Sequence, residues 1–232
     1  MARISRGSRK WPTSDWRGLL HDAVTLLDTL TDAPRWSFGG GTSLAVFYDH
    51  RISYDVDIFV SDSDTLTALS PNRNPATTAL LAGRSYQFPG NYLKLQIESG
   101  EIDFIVAGRR TATPVQPWPF ENRKIDIDTP WETAIKKMFY RPSTFKIRDA
   151  FDLAAVVDRH AAQLRSNLNI IEDRLDKLID RLDALTPAYE SLVADDINPT
   201  EAGALYTKTD ALRSAIAFLQ DWQSGKAAKL SG

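Results

Sequence analysis

Residues 13–30, TSDWRGLLHDAVTLLDTL, set apolar side chains at Trp16, Leu19, Leu20, Val24, Leu27 and Leu30. That spacing predicts one buried face of a helix, opened by capping residues. The period then changes. RWSFGGG predicts a short strand ending in a glycine turn, and TSLAVFYDH a helix with Thr42 or Ser43 in its first turn. DVDIFV alternates, so Val56, Ile58 and Val60 face one way while Asp55, Asp57 and Phe59 face the other.

Further along, residues 63–69 suit a helix and SPNRNP a loop. YLKLQIESGEIDFIVAG predicts a hairpin joined near Ser99 and Gly100. RKIDID adds a strand before Pro130 opens the helix PWETAIKKMFY, and a second helix covers roughly residues 146–160. Leu164, Leu168, Ile171, Leu175, Leu178, Leu182 and Leu185 then alternate steps of three and four, which predicts a long amphipathic helix. PTEAGALYTKTDALRSAIAFLQDW supplies another. The fold class is therefore α+β, a mixed-sheet body over residues 1–128 and helices over 129–232.

Composition changes this picture little. A chain of 232 residues with 43% hydrophobic and 25% charged residues can bury a sizeable core. The formal charge of −2 does not advertise a polyanion partner, and the basic stretch RISRGSRK (Arg3 to Lys10) suits a solvated tail. With no cysteine, disulfides and thiolate metal sites are excluded. No apolar run approaches about 18 residues and no signal-peptide core opens the chain, so a cytoplasmic protein with no membrane partner is expected.

The chemistry concentrates in FGGGTSLAVFYDHRISYDVDIFVSD. Glycines lack a Cβ, so a ligand can approach the turn closely, and the helix start beyond it suits phosphate. Asp55 and Asp57 are hard oxygen donors on one strand face, the ligand type that magnesium takes. Asp103, in EIDFIV, lies on a later strand. If that strand neighbours Asp55–Asp57, three carboxylates converge as a metal site.

A glycine turn, a short helix and Asp-x-Asp on the next strand resemble the DNA polymerase beta-like nucleotidyltransferases. More narrowly, the Gly-Gly-Thr, His-Arg-x-Ser and Asp-x-Asp steps resemble the AbiEii/AbiGii toxin family. TPWETAIKKMFYRPSTFKIRDAFDLAAV is similar to that family's helical lysine motif and its Arg-Asp-x-x-Asp-Leu motif. The resemblance covers roughly residues 36–160. It implies a nucleotidyltransferase core to residue 128, then a helical domain carrying the Lys and Arg-Asp motifs.

By that resemblance Gly40, Gly41 and Thr42 line a triphosphate, and Asp55 and Asp57 bind metal. Lys137, with Lys136 beside it, is the family lysine. Asp149 sits near the nucleotide or the incoming hydroxyl with Arg148 beside it, and Asp152 is a structural helix residue. Arg51 suits the carboxylates, a phosphate or a structural pairing, Ser53 a phosphate or a turn, and His50 the orienting of a carboxylate or, more readily, the negative end of its helix. Arg141 lies near the lysine, and Trp118 and Trp131 suit core plugs. The implied activity moves NMP from an NTP to an acceptor hydroxyl with magnesium, for which manganese can substitute. The implied acceptor is RNA, at a tRNA 3′ end, in a toxin–antitoxin or phage-defence setting with a cognate antitoxin. Two other readings stand beside it: transfer to a small molecule of the aminoglycoside type, and a catalytically silent nucleotide-binding module.

Overall fold

Alternation along β2 (Asp55–Val60) divides the molecule into an apolar and a polar side. The structure, a computed structural model, describes residues 13–230, with side chains through Lys226. The basic stretch from Arg3 to Lys10 lies outside the described residues. Val56, Ile58 and Val60 are buried, and β2 lies at the centre of a seven-stranded mixed sheet of order β3-β4-β5-β2-β1-β7-β6. The remaining strands are β1 (Trp36–Gly39), β3 (Tyr86–Gln87), β4 (Tyr92–Gln96), β5 (Glu101–Val106), β6 (Val115–Phe120) and β7 (Arg123–Asp128). β2 runs antiparallel to β1 and parallel to β5, and β1 runs parallel to β7.

One sheet face packs under α1 (Trp16–Asp28), α3 (Ser63–Leu69) and α4 (Pro75–Leu81). α1 starts where Asp15 accepts from the Gly18 N–H, satisfying one of the free donors of the first turn. Leu19, Leu20, Phe38, Ile58, Ile102, Phe104 and Leu93 fill this core, and Trp118 plugs its end against Trp16 and Phe38.

The second core lies among α5 (Pro130–Tyr140), α6 (Ile147–Arg165), α7 (Leu175–Leu185), α8 (Tyr189–Asp196) and α9 (Thr209–Leu230). α2 (Gly40–Tyr48) contributes Leu44 and Tyr48 to it, and Phe47 packs against both cores. The helix that follows the glycine turn thus joins sheet and helices. Residues 197–203 return to the segment before β2: Ile52 N–H donates to the Asn198 carbonyl and Thr200 N–H to that of His50.

The expected long helix from residue 163 is broken. α6 ends at Arg165, a 3-10 stretch spans Leu168–Arg174, and α7 follows. The leucine stripe stays buried, but Ser166 donates to the Ala162 carbonyl and Asn167 to that of Gln163. Side chains that bond the preceding turn compete with helix propagation. Residues 199–208 likewise form turns and a short 3-10 stretch, so the last helix starts only at Thr209. β6 was hidden by Pro117 and Pro119; it is an edge strand pairing β7 alone, where proline is tolerated.

Candidate active site

The polar side of β2 meets its neighbours in a fixed register. Asp57 stands opposite Asp103 and Asp55 opposite Glu101 across the β2–β5 pair, while Lys94 of β4 stands opposite Asp103. Lys94 Nζ lies 2.7 Å from Asp103 Oδ2 and 2.9 Å from Glu101 Oε2. Asp55 Oδ1 and Asp103 Oδ1 are buried and have no hydrogen-bond partner. Burial, with the charges of Asp57 and Glu101 nearby, pushes the Asp55 carboxyl up to about 6. Burial and then Asp57 push Asp103 up to about 7, against the pull of Lys94.

The three carboxylates expected to converge therefore do so incompletely. Among the described residues no three His, Cys, Asp or Glu side chains close into a metal cage. The Lys94 ammonium takes one oxygen of Asp103. What remains is a pair of unpartnered hard oxygens beside Asp57, a donor set that fits a magnesium ion keeping several waters.

The glycine turn is shaped by the protein's own side chains. Gly40 has φ +69°, and a Cβ there would lie 1.7 Å from Asp57 Oδ2; one on Gly41 would lie 2.1 Å from Arg51 Nη2. The space left by the missing Cβ atoms is filled by a carboxylate and a guanidinium, where the sequence suggested an approaching ligand. Thr42 donates to the Asp55 carbonyl and meets Ser53 Oγ at 2.6 Å, so it fastens the first turn of α2 to β2.

Asp152 organises the next layer. Its carboxylate meets Arg51 Nε at 2.7 Å and Nη2 at 3.0 Å, His50 Nε2 at 2.8 Å and Lys137 Nζ at 2.5 Å. Burial opposes ionisation, yet the Arg51 and Lys137 charges outweigh it and hold the carboxyl well below its ordinary range. His50 is fully buried, and burial pushes its imidazolium towards the neutral form. The expectation that His50 answers the end of its helix is thereby corrected: its ring turns to a carboxylate on α6. Arg51 spends its fork on the same carboxylate, and its Nη1 donates to Ser53 Oγ at 3.3 Å.

The two lysines part company. Lys137 Nζ bridges Asp152 and Asp149, the latter at 3.2 Å. Lys136 turns away to Asp128 Oδ2 at 2.8 Å and stands 3.9 Å over the Phe59 ring. Asp149 also accepts from Arg141 Nη2 at 2.9 Å and from the Lys146 N–H at 3.0 Å. Burial opposes its ionisation too, but Lys137 and Arg141 keep its carboxyl below the ordinary value. Arg148 Nη1 lies 3.8 Å from Asp55 Oδ2.

Every expected site residue lines one cleft of about 590 Å³: Gly40, Gly41, Thr42, Arg51, Ser53, Asp55, Asp57, Asp103, Lys137, Arg148 and Asp149. Lys94, Glu101, Tyr140 and Lys146 line it too and were missed. For Lys94 a signal existed, since counting back from the hairpin turn places it opposite Asp103. Carboxylates and the cations Arg141, Lys146 and Arg148 line the same cleft, a mixture that suits a polyanion together with a cation.

Solved structures of similar shape include a candidate nucleotidyltransferase from H. pylori, 14% identical, with TM-score 0.49, 94% of this chain and 99% of that one covered. Another is the MenT4 nucleotidyltransferase toxin of Mycobacterium tuberculosis, 15% identical, with TM-score 0.49, 90% and 88% covered. No curated protein matches the sequence. No helix among the described residues is long and apolar enough to cross a membrane. Residues 24–223 match the family described as nucleotidyl transferase AbiEii toxin, type IV TA system. With that match spanning most of its length, the chain belongs to the AbiEii family of nucleotidyltransferase toxins.

Proposed function

We propose that this nucleotidyltransferase moves NMP from an NTP to an acceptor hydroxyl on RNA, at a tRNA 3′ end, with magnesium as its cofactor. The observation that carries the reading is the pair of buried, unpartnered oxygens of Asp55 and Asp103 in a cleft that Arg148 also lines. Asp55, Asp57 and Asp103 would hold the ion. When bound, magnesium or manganese lowers the pKa of the acceptor hydroxyl and offsets phosphate charge.

The chain's own residues account for the rest. Lys94 fixes Asp103 by one oxygen and leaves the other free. Lys146 and Arg148 hold phosphate oxygens. Lys137 and Arg141 meet the tail from beneath while Asp149 keeps them in place. The acceptor hydroxyl gives up its proton to solvent as its oxygen bonds to the α-phosphorus, and the bond to pyrophosphate breaks with its negative charge met by these preorganised cations. In this reading the core to residue 128 supplies the carboxylates and the helical domain from 129 the cations. The family is one of toxin–antitoxin systems, so a cognate antitoxin is implied.

Purified protein, magnesium, each labelled NTP and total RNA test the proposal. Label should enter RNA with the wild type and vanish with Asp55→Ala or Asp57→Asn, the circular dichroism spectrum being unchanged. Equal labelling by those variants would remove the carboxylates from the reaction. Label passing instead to an aminoglycoside would overturn the RNA acceptor alone.

A further inference from the structure

We propose that Tyr140 is a preformed stacking platform for a nucleobase at the mouth of the cleft, an inference that rests on the nucleotide reading of that cleft. Ile52, Tyr86, Phe88, Tyr140 and Leu205 are the exposed large hydrophobics among the described residues. Of these, Tyr140 alone lines the cleft, with half of its surface open. The other aromatic ring lining it, Phe59, already carries the Lys136 ammonium at 3.9 Å. Tyr140 is thus the half-exposed aromatic surface of the cleft, open enough to take a flat ligand on its exposed side.

Its ring is held in place before any ligand arrives. Tyr140 packs edge-to-face on Phe139, with centroids 5.1 Å apart and planes at 79°. Its hydroxyl accepts from Arg110 Nη2 at 2.7 Å, and the Arg110 guanidinium stands 3.9 Å over Phe139 and 5.0 Å over Tyr140. Phe139 is pinned in turn by Arg174 at 4.0 Å. A ring so fixed has little conformational freedom left to lose on binding. Tyr140 also follows Lys137 by three residues on α5, which puts both on one helix face. An aromatic surface one turn from phosphate-binding cations matches the layout of a nucleotide, base at one end and anion at the other. Stacking of this kind tolerates any base, because every base has a π-face.

The base can come from the incoming NTP or from the terminal nucleoside of the acceptor, and binding measurements separate the two. Equilibrium dialysis with magnesium would use each non-hydrolysable NTP, ribose 5-triphosphate as a base-free control, and a short acceptor RNA. Tyr140→Leu should weaken at least one base-bearing ligand by about fivefold or more and leave ribose 5-triphosphate unchanged. Tyr140→Phe, which keeps the ring but loses the Arg110 hydrogen bond, should retain most of the binding that Tyr140→Leu loses. A loss confined to NTPs assigns the platform to the incoming nucleotide, and a loss confined to RNA assigns it to the acceptor. Wild-type binding of both by Tyr140→Leu, or an equal loss for ribose 5-triphosphate, would overturn the platform while leaving the nucleotide cleft standing. Failure of the wild type to bind any NTP, RNA or ribose 5-triphosphate would overturn both.

Discussion

Asp57 and Asp103 face each other at one rung of the parallel β2–β5 pair, with Asp55 two residues away on the same face. Without a metal ion, burial first and then that crowding favour protonation: Asp55 rises from 3.8 to about 6 and Asp103 from 3.8 to about 7. A carboxyl whose folded pKa lies above its unfolded one contributes stability that is complete below the unfolded value. That contribution is lost as pH rises through the folded value. In EDTA the wild type should therefore lose stability relative to Asp55→Asn as pH rises from about 4 to 7, by on the order of 2 kcal/mol. Thermal melts of both proteins across that range check it. Magnesium at pH 8 should restore the wild type and leave Asp55→Asn nearly unmoved; a constant gap across pH would refute the upward shift of Asp55.

Gly40→Ala should cost activity beyond its cost in stability. The backbone there has φ +69°, and the new methyl would overlap Asp57 Oδ2 at 1.7 Å. Either the turn or the carboxylate must move. A displacement near 1 Å in a reacting centre lowers turnover by about a hundredfold. Labelled-NTP transfer measured beside a urea titration separates the two losses, and a variant with full turnover would show that Asp57 has room to shift.

Asp152→Asn should destabilise the protein by about 3–5 kcal/mol, because Arg51 and Lys137 would remain buried with one carboxylate oxygen too few. The readout is the urea midpoint, with slope unchanged if the variant still unfolds in one step. The acid limb follows from the same cluster. Asp149 and Asp152 are depressed in the folded state, so their contribution is present above about 3.8 and lost as pH falls below it. Wild type should show that acid loss, and Asp152→Asn should show less of it.

The parts of this site that the sequence made legible are local. Alternation in DVDIFV put Asp55 and Asp57 on one face, and the hairpin in residues 92–106 brought Asp103 to the neighbouring strand. Glycines before a short helix marked the turn that wraps Asp57. The parts that stayed hidden depend on distant pairing. Nothing near His50 and Arg51 announces that both turn to Asp152, a residue on a helix of the second core. Lys136 and Lys137 are adjacent, and only the packing of α5 decides which one faces Asp149. The break between α6 and α7 was missed because the apolar stripe continues through it, while the hydroxyl and amide that disrupt the helix are polar and outside the stripe.

Arg148 and Lys137 should separate binding from folding. The Arg148 side chain is 29% exposed and its contact with Asp55 is long, at 3.8 Å, so its removal costs only a partly solvated pairing. Arg148→Ala should shift stability by less than about 1 kcal/mol. The same change should raise KM for the NTP about tenfold, as loss of one charge-assisted phosphate contact would. The Lys137 side chain is 9% exposed and bridges Asp149 and Asp152. Lys137→Met should therefore lower stability by about 3 kcal/mol before any effect on turnover is read. Urea titrations and steady-state kinetics on the two variants give the pattern directly. If Arg148→Ala unfolds the protein while Lys137→Met leaves stability intact, then Lys137 is the free cation of the cleft and Arg148 part of its frame.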